Sequence, residues 1–173
     1  MSDLLAGVHP DIAHMSWLVG TWTGIGEGQY PSSDPFRYEE VVQFATDGRP
    51  FLEYRSMTWL IDDDNQRVKA SHTESGYWRP APDNGVEALL SHPTGYSELW
   101  LGKIEVTNLV NARITGARMI LEADAIVASP TAKSVTSGLR MYGLVEGELL
   151  MTYDMAAVGH ETQNHLAIRM RPL

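Results

Sequence analysis

The 173-residue chain contains no cysteine. That excludes disulfides, a zinc ribbon, a thiolate nucleophile and any thiolate ligand, so a bound metal would have to be held by His, Asp, Glu, Tyr or Met. Basic residues are also few: 13 Lys and Arg stand against 22 Asp and Glu, a formal net charge of −9. Nucleic acid and anionic membrane both need a basic patch to neutralise phosphates, and neither is expected as a partner. No apolar run approaches the ~18 residues of a membrane span. The segment Met1-Ser2-Asp3-Leu4-Leu5-Ala6-Gly7 has neither the basic n-region nor the apolar h-region of a leader. The expectation is a cytoplasmic protein made of a single domain over residues 1–173. Nucleophile and phosphate-loop signatures are absent too: there is no Gly-x-Ser-x-Gly and no His-Glu-x-x-His.

What the chain does contain is punctuation. Asp47-Gly48, Asp62-Asp63-Asp64-Asn65, Pro82-Asp83-Asn84-Gly85, Pro93-Thr94-Gly95 and Glu146-Gly147 are turn signals at short intervals. Between them lie runs of strand length and composition: 20–28, 37–46, 51–61, 67–79, 86–91, 96–110, 112–125, 133–145, 148–158 and 165–172. One segment, His9 to Leu18, reads as a short helix, with Pro10 in its first turn and Ile12, Met15 and Leu18 on one face. Hairpin after hairpin without crossover helices predicts an all-β fold, a closed antiparallel barrel of about ten strands in the manner of lipocalins and fatty-acid-binding proteins, with the helix as plug or lid.

The first strand is unusual. Gly20, Trp22, Gly24, Gly26 and Gly28 occupy alternate positions, so one of its faces is nearly bare. Interior glycine weakens a strand unless the wall bends or something approaches closely. The motif Gly20, Trp22, Gly24, Gly26 is therefore read as the device that curves and closes the wall.

Six histidines carry the remaining chemical potential. His9 and His14 flank the helix and are expected to be solvated. His72 shares a strand face with Val68, Ala70, Glu74, Gly76 and Trp78, so it either lines a pocket or is hydrogen-bonded within the wall. His92, before Pro93, reads as a turn residue. His160 and His165 bracket a polar segment at the start of the last strand, where barrel loops commonly carry binding residues. Parity raises a difficulty there. In a regular strand His165 would share the face of Ala167 and Arg169, opposite the apolar Leu166, Ile168 and Met170. Either a bulge re-aims it or the pocket lies beside the core. Trp22, Met57, Trp59, Trp78, Trp100 and Met155 are candidates for apolar lining.

Gly20-x-Trp22-x-Gly24-x-Gly26 with Gly28-Gln29-Tyr30-Pro31, His72-Thr73-Glu74-Ser75-Gly76-Tyr77-Trp78-Arg79-Pro80, Thr94-Gly95, Lys133 and Gln163-Asn164-His165-Leu166 together resemble, in order along almost the whole chain, the landmarks of the nitrobindins. The resemblance implies a ten-stranded barrel holding one ferric haem b per chain, with His165 as the iron ligand and His72 on the distal side. It implies Ser32 as a haem contact, where relatives often have threonine, and Lys133 as a basic residue at the haem edge. It further implies binding of nitric oxide and isomerisation of peroxynitrite to nitrate, without redox turnover. An apolar distal side with few donors would suit small diatomics. A homodimer is a family expectation, through an exposed edge or an apolar outer face. Two other readings compete: a lipocalin-like carrier of an apolar small molecule, and a non-haem metal site built from His72, His160 and His165.

Overall fold

The computed structural model describes residues 7–29, 34–132, 135–157, 159 and 161–173. A 3₁₀ helix, Pro10–Leu18, precedes ten strands: β1 (Gly20–Gly28), β2 (Phe36–Ala45), β3 (Leu52–Ile61), β4 (Arg67–Ala81), β5 (Gly85–His92), β6 (Tyr96–Val110), β7 (Arg113–Ala128), β8 (Val135–Val145), β9 (Glu148–Ala157) and β10 (Gln163–Pro172). Each strand pairs antiparallel with its neighbours in sequence, and β1 pairs with β10 to close the barrel. Closure removes the free edges that an open meander would leave.

Alternation places one face of every strand inside. Along β2, Tyr38, Glu40, Val42 and Phe44 are buried, and the residues between them are more exposed. The first strand can close against the last because Gly24 has no side chain: a Cβ there would collide with the main-chain carbonyl of Arg169 on β10. At Gly24, then, the bare face of β1 lets the last strand approach.

The helix plugs one end. Ile12, Met15, Trp17 and Leu18 are buried, and the helix packs against β4, β6 and β7. Its C-terminal carbonyl at Leu18 accepts a 2.8 Å hydrogen bond from the indole N–H of Trp22, which ties the plug to β1. The opposite end of the barrel is where β1 and β5 finish and β2, β6 and β10 begin. Phe36, His92, Tyr96 and His165 therefore collect there, and the sheet register brings His72 to the same end. Among the described residues no helix is long and apolar enough to cross a membrane.

Candidate functional site

The parity problem at His165 is resolved by a bulge. Asn164 pairs with Asp154 and Leu166 with Tyr153, so His165 is an extra residue on β10 with no counterpart on β9. The insertion resets the alternation. His165 is 3% exposed, and Ile168 and Met170, which a regular strand would place on the other face, are buried with it. Gln29, just past β1, grips the bulge twice. Its N–H donates to the His165 carbonyl at 2.9 Å, and its own carbonyl lies 2.6 Å from His165 Nδ1. A carbonyl only accepts, so Nδ1 carries the proton and Nε2 keeps its lone pair. Burial holds the ring's pKa below the ordinary imidazole value, against the opposing pull of the Gln29 carbonyl; His72 lowers it further. The result is a neutral imidazole with a fixed tautomer, which is the form a metal requires. Phe36 and Tyr153 stand edge-on to the ring, with centroids 6.2 and 6.0 Å away.

His72 faces the same end from β4. It too sits at an irregularity: Met57 pairs with Thr73 and Trp59 with Ala70, so β4 carries an extra residue opposite Thr58. The Thr58 hydroxyl seals the bulge by accepting from the His72 N–H at 2.9 Å and donating to its carbonyl at 3.2 Å. Behind His72 runs a chain of polar groups. His72 Nε2 lies 2.9 Å from His92 Nδ1, and His92 Nε2 lies 2.8 Å from Glu98 Oε2, which also accepts from the Trp100 indole N–H at 2.9 Å. Deeper in the barrel, Arg140 donates to both oxygens of Glu74 at 2.6 and 2.8 Å, and the Tyr54 hydroxyl donates to Glu74 Oε1. The Arg140 guanidinium lies over the rings of Trp100 and Tyr153.

His72, Glu74 and His92 are the residue types of a metal site, with one ligand atom from each lying within 4.8 Å of the others. Their arrangement is that of a hydrogen bond. The two rings meet nearly nitrogen to nitrogen, with centroids 5.1 Å apart, so one facing nitrogen donates to the other and neither is aimed at a common third point. Glu74 is already held on both oxygens by Arg140.

His165 and His72 are thus brought to one end of the barrel. Ser32, Lys133 and His160 lie outside the described residues. Three expectations need correction. His92 is the last residue of β5, with its ring buried, because the turn begins only at Pro93. Met57 and Trp59 pair with Val41 and Glu39, which puts them on the outer face, where Trp59 carries the Arg67 guanidinium. The interior behind His72 is not a smooth apolar surface, since it holds Glu74, Glu98 and Arg140. Alternation along β4, β6 and β8 does place these three charges on otherwise apolar inward faces.

The site has the donor chemistry for a prosthetic group bound through imidazole. With no cysteine, a buried neutral histidine is the available strong ligand for iron. Gly138 on β8 lies tightly under two aromatic rings: a Cβ there would stand 2.6 Å from the Trp100 ring and 3.1 Å from that of Tyr153, the residue edge-on to His165, so only glycine fits beneath them.

A family model described as "THAP4-like, heme-binding beta-barrel domain" matches residues 11–171. A protein of Nocardioides sp. named peroxynitrite isomerase is 39% identical over 97% of this chain and 96% of its own length. One of the same name from Salinispora tropica is 41% identical over 97% of this chain and 84% of its own length. A "Ferric nitrobindin-like protein" of Kineococcus radiotolerans is 38% identical over 91% of this chain and 90% of its own. Among solved structures, Rv2717c from M. tuberculosis superimposes with a TM-score of 0.86 at 37% identity, covering 96% of this chain and 99% of that one.

Proposed function

Since the chain belongs to the THAP4-like haem-binding β-barrels, the nitrobindins, we propose that it binds one ferric haem b through His165 Nε2 and isomerises peroxynitrite to nitrate, with nitric oxide as a further ligand. The observation that carries this reading is the bulged His165, buried and held as a neutral Nδ1–H tautomer by the Gln29 carbonyl. A ferric haem supplies an open coordination position and a Lewis acid for an oxyanion.

The protein's own residues orient and exclude. Gln29 fixes the plane of the His165 ring, and Phe36 and Tyr153 shield its flanks from water. His72 would face an anion bound at this end of the barrel; the resemblance adds Ser32 as a residue that would contact the haem and Lys133 as a basic residue that would pair with its carboxylates, both outside the described residues. Peroxynitrite and nitrate have the same atoms and charge, so no net electron or proton is consumed. The likeness to proteins named peroxynitrite isomerase supports the reaction. The buried ion pair of Arg140 and Glu74 in the interior argues against a carrier of apolar molecules, which would need that volume to be greasy and empty.

Stopped-flow mixing of peroxynitrite with the haemin-loaded protein tests the reading. It predicts faster decay with the product shifted towards nitrate, and a return to the uncatalysed rate in His165→Ala. An unchanged decay rate with fully loaded wild-type protein would sink it.

A further inference from the structure

The chain from Glu98 through His92 to His72 has a direction. Glu98 Oε2 lies 2.8 Å from His92 Nε2 and accepts the Trp100 N–H at 2.9 Å. The carboxyl is held below the usual carboxylate range: burial pushes it up, but the His92 hydrogen bond and the Arg140 charge outweigh burial. A carboxylate only accepts, so His92 Nε2 carries a proton; with that single proton on the ring, Nδ1 is left as an acceptor. At 2.9 Å from that acceptor, His72 Nε2 must be the donor. Neutral His72 therefore keeps its own Nδ1 unprotonated. Its side chain is 41% exposed, whereas those of His92 and Glu98 are 6% and 3% exposed, so the chain runs from the sealed wall to an accessible end.

We propose that Glu98 and His92 act as positioning residues that hold His72 in the Nε2–H tautomer, and that His72 takes up one proton at Nδ1 when a small anion binds at this end of the barrel. The role of the anion rests on the haem reading of the preceding section; the tautomer does not. The groups facing His72 are Glu74 from its own strand, His92 from β5, Glu98 from β6, Arg140 from β8 and His165 from β10. Burial, His92 and Arg140 disfavour its cation, and Glu74 and Glu98 favour it, with burial the largest effect and the net pKa lowered. The resting ring is neutral, and the negative charge of a bound anion tips it to imidazolium. The new proton sits on Nδ1, and the positive charge is stabilised through His92 by Glu98. No bond other than N–H forms, and the proton comes from solvent.

The test has two arms. Side-chain nitrogen NMR of the haem-free protein, assigned with His72→Gln, is expected to show Nε2–H and bare Nδ1 on His72 above neutral pH. In Glu98→Gln the His72 imidazolium is expected only at lower pH, a change that a merely structural role for Glu98 would not produce. A wild-type His72 protonated at Nδ1 instead would overturn the proposal. In the second arm, azide binds the haemin-loaded protein between about pH 6.5 and 8.5, the range just above an ordinary imidazole. Uptake of one proton predicts an affinity that falls about tenfold per pH unit. In His72→Gln azide still binds, with most of that slope gone; a slope equal to wild type would overturn the proton uptake. If haemin does not load at all, the haem reading fails, and the nitrogen spectrum still decides the relay.

Discussion

Arg140 and Glu74, 66 residues apart in sequence, meet inside the barrel through two hydrogen bonds of 2.6 and 2.8 Å, with both side chains nearly sealed from solvent. The two charges are worth little as a pair relative to a well-packed apolar replacement, but either one alone is an uncompensated buried ion. Arg140→Met is therefore expected to destabilise the protein by about 3–5 kcal/mol in urea unfolding. Adding Glu74→Leu should recover most of that loss. Equal destabilisation by the single and double variants would show that the pair does not interact as described.

The same pair sets the response to acid. Burial alone would raise the Glu74 pKa, yet the charge and hydrogen bonds of Arg140 hold it well below the usual carboxylate range. A group depressed in the native state contributes stability above its unfolded pKa, about 4.3 for Glu, and loses it as pH falls below that. Stability is expected to drop on acidification below about pH 4. In the double variant lacking both charges this part of the drop should vanish.

Glu40 works in the opposite sense. It is buried with one oxygen on the Ser56 hydroxyl at 2.6 Å, and burial raises its pKa to about 7. A carboxyl whose native pKa is raised binds its proton more tightly when folded, so stability falls as pH rises from about 4.3 to about 7 and then levels. Glu40→Gln removes the titration. Its stability relative to wild type should rise across that window by an amount on the order of 3 kcal/mol. A difference that stays flat with pH would contradict the burial of an ionisable Glu40.

Barrel closure depends on Gly24. Gly24→Ala drives a methyl into the Arg169 carbonyl, so β1 and β10 must part, and the variant should unfold at much lower denaturant or remain insoluble. Gly143→Ala is the control. Its nearest neighbour to a Cβ is 3.8 Å away, an ordinary contact, and it should behave like wild type in the same unfolding experiment.

Much of this architecture was legible in the sequence, because turn residues and alternation are local. Asp62 to Asn65 and Pro82 to Gly85 bound strands that the structure places within a residue or two. Glycine at alternate positions of β1 announced close approach. Alternation also exposed the conflict at His165 without resolving it, since an extra residue on β10 is defined only relative to β9. The polar network was less legible for the same reason. Glu74, Glu98 and Arg140 stand on inward faces that periodicity identifies, but their partners come from three different strands. His92 was misread because its neighbour Pro93 dominates the local signal, while the strand continues one residue further than the turn chemistry suggests.

The account rests on His165, and titration of the protein with haemin followed by absorption spectroscopy tests it most directly. Wild-type protein is predicted to bind one haemin per chain with a shifted Soret band, and His165→Ala to lose both the tight stoichiometric end-point and the shift. A His165→Ala spectrum and end-point indistinguishable from wild type would contradict the account.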